Sequence, residues 1–242
     1  TRVAEVLNRV ISKAFKGSAP AQINIPRDMW TQVIDIELPP IIKFERPSGG
    51  SEAIKEAAKL LSNADFPVIL SGAGVVLADA INDCKALAEK LDSPVASGYQ
   101  HNDSFPGSHP LAVGPLGYNG SKAAMELISK ADVVLALGTR LNPFSTLPGY
   151  GIDYWPKDAA IIQVDINSDR IGLTKKVSVG ICGDAKQVAQ QLLNSLSPEA
   201  GNKNRDERKA LIHQTKSAWL QTLSSMDHED DDPGTSWNEE AR

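Results

Sequence analysis

Two turns in the sequence, one rich in glycine and one containing an arginine, suit a phosphorylated ligand. Gly72 and Gly74 follow the apolar run VILS and precede a helix-like segment, so their backbone N–H groups would face an anion. Thr139 and Arg140 follow the apolar run VVLALG, and a guanidinium there would bind a diphosphate through paired hydrogen bonds. Each feature also has a plainer interpretation, a tight turn for the glycines and a surface or interface position for the arginine.

Two aspartates extend this candidate site. Asp165 ends the run IIQVD, where its carboxylate could accept hydrogen bonds from a ribose, although an Asx turn explains it equally well. Asp184 follows the run VGICG in the same manner. A dinucleotide fingerprint is incomplete, because Leu77 occupies the position of its third glycine and no acidic residue ends a strand some twenty residues later. The pattern indicates a nucleotide shelf and does not favour hydride transfer.

Other reactive side chains give no catalytic arrangement. His101, Asp103 and His109 lie in the segment 98–120, which predicts a long loop, and loop histidines usually cap the chain or face solvent. A loop of that length is more often functional than a short one, and its glycines would let the backbone approach a cofactor, a substrate or a neighbouring subunit. Cys84 and Cys182 are about a hundred residues apart, which favours buried free thiols and a reducing, cytoplasmic setting.

Bulk properties narrow the class of partner. The net charge is −5 and no basic run occurs, so nucleic acid and anionic membranes are poor partners. No stretch approaches the roughly 18 apolar residues of a membrane span.

The elements that must position these residues alternate between strands and helices from residue 51 onward. Continuous apolar strands are typical of a parallel sheet covered on both faces. The fold class predicted is therefore α/β, a doubly wound and mostly parallel sheet with helices on both faces. The predicted helices are 51–63, 78–91, 121–130 and 185–196, and the predicted strands are 67–71, 94–97 and runs within 131–144, 159–172 and 177–185.

The flanking segments predict further parts. Residues 1–36 hold one amphipathic helix and a short strand at 21–26, which cannot form a core alone and suit the end of a preceding domain. Residues 37–50 are rich in Pro and Gly and predict a linker, 51–197 form the central domain, and 198–242 are a polar helix and charged tail leading to a further domain. The chain lacks an initial Met, which favours a fragment of a longer polypeptide.

The order of these pieces resembles the thiamine-diphosphate enzymes of the acetolactate synthase and pyruvate oxidase type. The resemblance covers residues 1–196 and rests on AQINIPRDMW, VILSGAG, FPGSHPLAVGPLGYNGS, ADVVLALGTRL and IIQVDI. FPGSHPLAVGPLGYNGSKAA, GTRLNPFSTLPGYGIDYWPK and INSDRIGLTKK are most similar to the branch that converts sulfoacetaldehyde and phosphate to acetyl phosphate and sulfite. An acetolactate-forming carboligase, a stand-alone adenine-nucleotide-binding module and a domain that only spaces its neighbours are the alternatives.

The same resemblance implies where the cofactors bind. The family's catalytic Glu would lie upstream of Thr1. The family's Gly-Asp-Gly…Asn-Asn motif is absent from this sequence, and Gly183-Asp184-Ala185 matches only its first two residues. Thiamine diphosphate and magnesium would thus be held by the missing N- and C-terminal domains of the same polypeptide, in a homodimer or homotetramer, and this chain alone would be inactive. In some members FAD or ADP lies on the central domain, here at Gly72, Gly74, Thr139, Arg140, Asp165 and Asp184. Its retention is disfavoured, because acetyl transfer needs no flavin redox step and the third glycine is missing.

Overall fold

The apolar runs form one sheet of six parallel strands in a computed structural model, which describes residues 2–17, 19–37, 40 and 45–227. The spatial order is β3-β2-β1-β4-β5-β6, and every neighbouring pair is parallel. This arrangement confirms the predicted fold class. The strands are β1 (Pro67–Ser71), β2 (Val95–Ser97), β3 (Ala112–Pro115), β4 (Val133–Leu137), β5 (Ala160–Asp165) and β6 (Val179–Cys182).

Burial follows the position of each strand in the sheet. Every residue of β1 and β4, the two central strands, is buried, as expected where helices cover both faces. In β6, an edge strand, burial alternates, so Cys182 is exposed. The prediction that both cysteines are buried is therefore wrong for Cys182, because one face of the edge strand is left uncovered.

Helices lie on both faces of the sheet. α6 (Ala185–Ser195) contacts both α2 (Ser51–Asn63) and α4 (Ile81–Leu91), whereas α5 (Lys122–Ile128) contacts α7 (Arg205–Asp227). Right-handed crossovers place α4 and α5 on opposite faces, because the chain moves along the sheet in opposite directions through these two connections. A short helix, α3 (Ala73–Leu77), follows β1 directly.

Three parts of the chain beyond residue 51 differ from prediction. The segment 98–120, predicted as a loop, contains a 3₁₀ helix at Asn102–Ser104 and the strand β3. Gly114 and Pro115 make β3 hard to recognise from sequence, although a strand at the edge of a sheet tolerates both residues. The predicted helix 78–91 begins only at Ile81, because Asp79 has a φ of +53°. Beyond residue 197 the predicted polar helix is α7, and it differs from a fully solvated surface helix, since Arg208 and Ile212 are buried.

The chain divides into two units, Thr1–Glu45 and Arg46–Arg242, of which the second contains the sheet. In the first unit, α1 (Val3–Gly17) forms as its apolar periodicity predicts. No described residue of this unit is buried. The strand predicted at 21–26 is wrong, because no described segment pairs with it. Residues 38–39 and 41–44 of the predicted linker, and the tail 228–242, lie outside the described residues.

Candidate functional site at the carboxyl ends of the strands

All six predicted ligand-binding residues lie along one edge of the sheet, here called the carboxyl edge. Gly72 follows β1, Gly138 and Thr139 follow β4, Asp165 ends β5, and Asp184 lies two residues beyond β6. Because the strands are parallel, their carboxyl ends meet at this edge. The strand order reverses between β1 and β4, which is the position where ligands bind in open sheets of this type.

The backbone of the Gly72–Gly74 turn fills the position between the ends of β1 and β4. The Gly72 N–H donates to the Leu137 carbonyl at 3.1 Å, and the Gly74 N–H donates to the Gly138 carbonyl at 2.8 Å. A Cβ atom at Gly74 would lie 2.6 Å from the Gly138 Cα atom, so the two loops touch without side chains between them. Two N–H groups that the sequence offers to a phosphate are therefore bonded within the protein.

The buried amide side chain of Gln163 forms hydrogen bonds to the loop that contains Thr139. Gln163 on β5 donates from Nε2 to the carbonyls of Thr139 and Arg170, both at 3.2 Å, and its Oε1 accepts from the Gly172 N–H at 2.9 Å. One side chain thus fixes the loops after β4 and β5. Sequence reasoning missed Gln163, although a polar residue inside the apolar run AIIQVD was a usable signal.

Backbone strain marks the loop after β4. Leu141 is buried with a φ of +52°, a conformation that a bulky side chain rarely adopts. Its N–H donates to the Thr139 Oγ1 at 3.3 Å, and its carbonyl accepts from the Thr174 hydroxyl at 2.9 Å. The surrounding bonds hold the strained residue in place, a situation that is frequent at functional sites.

Arg140 has the freest functional group on the carboxyl edge. Its side chain is exposed, and it makes no hydrogen bond or ion pair with any residue that the structure describes. The Arg140 carbonyl accepts from the Thr174 hydroxyl at 3.4 Å, so only the backbone is fixed. The guanidinium therefore remains available to an anion.

The two aspartates are already engaged. Asp165 Oδ1 accepts from the Asn167 N–H at 2.8 Å, which is the Asx turn of the plainer interpretation. Asp184 caps α6 by accepting from the N–H groups of Lys186 and Gln187, and its Oδ2 pairs with Arg46 at 2.7 Å. Both Asp184 oxygens thus serve the fold, whereas Asp165 Oδ2 makes no hydrogen bond with a described residue.

Exposed aromatic residues border the same edge. The Tyr118 N–H donates to the Phe144 carbonyl at 3.1 Å, and the Tyr99 N–H donates to Ser145 Oγ at 3.3 Å. A Cβ atom at Gly117 would lie 1.9 Å from the Phe144 carbonyl oxygen. The sequence predicts that the glycines of segment 98–120 let the backbone approach a ligand or another subunit. At Gly117 the backbone instead approaches the loop of the same chain that contains Phe144.

The loop histidines have structural contacts. His109 Nδ1 accepts from the Leu111 N–H at 3.2 Å, so its Nε2 carries the proton and donates to Glu89 at 3.2 Å. The ring also meets Phe105 edge to face, with centroids 5.2 Å apart. His109 therefore caps the chain that enters β3, as the capping interpretation expects.

The described residues do not fit the metal ion that accompanies a thiamine cofactor. No group of three or more His, Cys, Asp or Glu side chains within the described ranges could hold a metal ion. Both oxygens of Asp184 are engaged within the protein, whereas Asp165 keeps one oxygen, Oδ2, without a hydrogen bond to a described residue. No helix of the described part is long and apolar enough to cross a membrane.

The comparisons with known proteins define the class. A family model for the thiamine pyrophosphate enzyme central domain matches residues 54–192, so the chain belongs to that family. Benzoylformate decarboxylase from Polynucleobacter necessarius superposes with a TM-score of 0.61 at 22% identity, covering 74% of this chain and 33% of that one. This structural likeness shows a shared fold.

Relatives with closer sequences give a more particular likeness. The chain is 78% identical over all 242 residues to a probable sulfoacetaldehyde acetyltransferase of Rhizobium meliloti (strain 1021), and 75% identical to the sulfoacetaldehyde acetyltransferase of Roseovarius nubinhibens. A probable acetolactate synthase large subunit of Methanocaldococcus jannaschii is 38% identical over 86% of the chain and 34% of that relative. The chain spans about two fifths of the length of the acetyltransferases, 41% and 40%.

Proposed function

We propose that the chain is the central part of a thiamine-diphosphate-dependent acetyltransferase that converts sulfoacetaldehyde and phosphate to acetyl phosphate and sulfite. The observation that carries this proposal is the 78% identity over all 242 residues to a probable sulfoacetaldehyde acetyltransferase. Identity to a probable acetolactate synthase is 38%, about half that value. A carboligase is therefore the less supported activity.

In this proposal the chain supplies architecture to the enzyme. The bond-making chemistry belongs to thiamine diphosphate, which a protein orients and surrounds with charge. The cofactor and magnesium would be bound by parts of the polypeptide outside these residues, within a homodimer or homotetramer. The backbone closure at Gly74 and Gly138 and the engaged Asp184 support a spacing role, since they leave little of the usual ligand position open.

Sulfite release from the full-length enzyme tests the activity. Purified full-length protein would be supplied with thiamine diphosphate, magnesium, sulfoacetaldehyde and phosphate, and both sulfite and acetyl phosphate would be measured. We expect the two products in equal amounts and no sulfite when phosphate and sulfoacetaldehyde are replaced by pyruvate. Condensation of pyruvate to acetolactate, with sulfoacetaldehyde left unchanged, would assign the protein to the carboligases.

We further propose that the carboxyl edge retains neither FAD nor ADP. Two of its N–H donors, both oxygens of Asp184 and one oxygen of Asp165 are bonded within the protein, and acetyl transfer requires no flavin redox step. Arg140 and the Asp165 Oδ2 atom argue for the alternative, a retained nucleotide. The absorbance spectrum of the folded full-length protein separates the two, because stoichiometric flavin or adenine absorbance would establish retention.

We further propose that the protein is located in the cytoplasm. Cys84 and Cys182 are both free thiols, which suits a reducing cytoplasm.

A further inference from the structure

The last two turns of α7 expose apolar side chains that nothing in the described part of the chain covers. α7 spans Arg205–Asp227, a length of about 35 Å at 1.5 Å per residue. Every residue from 220 to 226 is exposed, and the apolar ones among them retain exposed fractions of 58%, 39% and 54% for Leu220, Leu223 and Met226. We call these three residues the α7 stripe.

The first turns of α7 are firmly anchored, in contrast. Arg208 is only 1% exposed, and all five guanidinium N–H groups meet carbonyl oxygens. Burial lowers the pKa of Arg208 from its usual value, although nearby carboxylates act in the opposite direction. The distances are 3.0 Å to Asp92, 2.7 Å to Asp65, 2.7 Å to Lys203, 3.0 Å to Leu91 and 2.6 Å to Gly201.

Further contacts extend the anchor to the middle of the helix. The Asp92 carboxylate pairs with Arg205 and, at 3.1 Å, with Lys209. Lys216 Nζ donates to the Pro110 carbonyl at 2.8 Å, and the Trp219 ring meets the Tyr150 ring with centroids 5.6 Å apart. The helix is thus fixed to the central domain as far as Trp219.

Two residues of the α7 stripe continue the face that already packs against the domain. Arg208, Ile212 and Trp219 mark that face, and at 100° per residue Leu223 and Met226 lie within about 40° of its mean direction. Leu220 lies about 100° from that direction, beside a cleft that His109 and Pro110 also line. Apolar residues thus continue the packed face of α7 for two turns beyond its contact with the domain. Such a continuation indicates that a second surface packs there.

Composition changes at the same point along α7. Residues 205–216 contain six charged side chains, whereas residues 217–226 (SAWLQTLSSM) contain none. An exposed helix end is normally rich in charged residues, which keep it solvated and add i,i+4 pairs. An exposed helix end without charged residues is typical of a contact surface.

We propose that the α7 stripe packs against an apolar surface of the same polypeptide, in the part of the full-length enzyme outside these 242 residues. The inference rests on the proposed function, because the acetyltransferase relatives are about two and a half times as long as this chain. The stripe has the area of three partly exposed side chains, against about 800 Å² and roughly 20–30 residues per partner in a standard interface between separate molecules. Such an area is too small for a stable dimer, but it is sufficient within one polypeptide, where tethering keeps the effective concentration high.

Hydrogen exchange in the full-length enzyme tests this contact without any substitution. We expect the amides of residues 220–226 to exchange at least about tenfold more slowly in the full-length enzyme than in the 242-residue chain. Exchange at equal rates in the two proteins would overturn the proposal.

A charge substitution gives a second measurement. Leu223→Glu should lower the melting temperature of the full-length enzyme by about 3 °C or more and leave that of the 242-residue chain unchanged. Gln221→Glu is the matched control, because it adds the same charge to the same turns on the opposite side of the helix and should change neither protein. Equal effects of Leu223→Glu and Gln221→Glu would contradict a specific contact.

Two other outcomes are distinguishable. If the 242-residue chain dimerises in sedimentation experiments and Leu223→Glu abolishes the dimer, a second copy covers the stripe and the proposal is wrong. Sulfite release is measured separately, so slow exchange at residues 220–226 without sulfite release would refute the acetyltransferase assignment and leave the contact intact.

Discussion

Gly74 and Gly138 join the loops after β1 and β4 through direct backbone contact. The Gly74 N–H donates to the Gly138 carbonyl at 2.8 Å, and a Cβ atom on either glycine would lie within 2.7 Å of the Cα atom of the other. Gly138 also has a φ of +62°, which favours glycine. The position at which doubly wound sheets usually bind a ligand is here a packed junction between two loops.

This contact predicts that Gly74→Ala destabilises the protein. The added methyl group would meet backbone atoms that cannot rotate away, and overpacking of this kind costs about 1–3 kcal/mol. For a unit of this size, the loss corresponds to a fall of the melting temperature by roughly 2–4 °C per kcal/mol. Gly107→Ala is the control, since nothing lies within 4 Å of its Cβ position. Equal melting temperatures of the two variants would show that the junction yields easily.

The glycine turn illustrates what the sequence can and cannot predict. The runs around β1, β4 and β5 are apolar on both faces, so a parallel sheet and a shared carboxyl edge follow from local pattern alone. The use of Gly74 does not follow, because its hydrogen-bond partner lies some sixty residues away. A Gly-X-Gly turn has the same appearance whether it faces a phosphate or another loop.

Arg208 and β3 show two other limits. Arg208 lies in a polar, charged stretch, and only the three-dimensional arrangement of five carbonyls makes it a buried anchor. β3 is hidden because its sequence AVGP contains the two residues that normally interrupt strands, and its position at the edge of the sheet relaxes that rule. Sequence patterns report local preferences, whereas these features depend on neighbours distant in sequence.

The two cysteines should differ sharply in reactivity. Burial, with a smaller contribution from Asp83, raises the pKa of the Cys84 thiol from 9.0 to about 12, whereas the Cys182 side chain is exposed. Because the thiolate is the reactive form, an alkylating reagent at pH 8 should modify only Cys182 in the native protein and both cysteines after unfolding. Cys182→Ser should leave no thiol that reacts in the native state. Rapid modification of Cys84 before unfolding would contradict its burial.

The Cys84 pKa also predicts a pH dependence of stability. A folded-state pKa above the unfolded value means that the unfolded chain loses its proton first as the pH rises. The contribution of Cys84 is therefore fully present below about pH 9 and declines between pH 9 and 12. Tyr154, whose pKa burial raises from 10.0 to about 12, acts in the same direction at slightly higher pH. Urea titrations of Cys84→Ala and the parent protein should show a shallower alkaline decline in the variant.

The 242-residue chain should not bind thiamine diphosphate. Its described residues provide no group of three potential metal ligands, and the Asp184 carboxylate is held by Arg46 and the start of α6. Calorimetric titration with thiamine diphosphate and magnesium should give no saturable heat, whereas the full-length enzyme serves as the positive control. A micromolar constant for the short chain, equivalent to about −8 kcal/mol, would contradict this expectation.

Arg140→Ala provides a test of the carboxyl edge that does not depend on stability. The exposed guanidinium makes no hydrogen bond or ion pair with a described residue, so its removal should change the free energy of unfolding by less than about 0.5 kcal/mol. If the edge does bind ADP or FAD, the same substitution should weaken that binding by about 10- to 100-fold, because charge-assisted hydrogen bonds to a diphosphate are worth roughly 1.5–3 kcal/mol each. Arg170→Ala, at a half-buried arginine of the loop after β5 whose side chain also makes no hydrogen bond or ion pair with a described residue, is the control. We expect neither variant to alter the heat of nucleotide titration, which should be indistinguishable from dilution. Saturable binding that Arg140→Ala weakens and Arg170→Ala preserves would assign the diphosphate to Arg140 and overturn the proposal of an edge without a nucleotide.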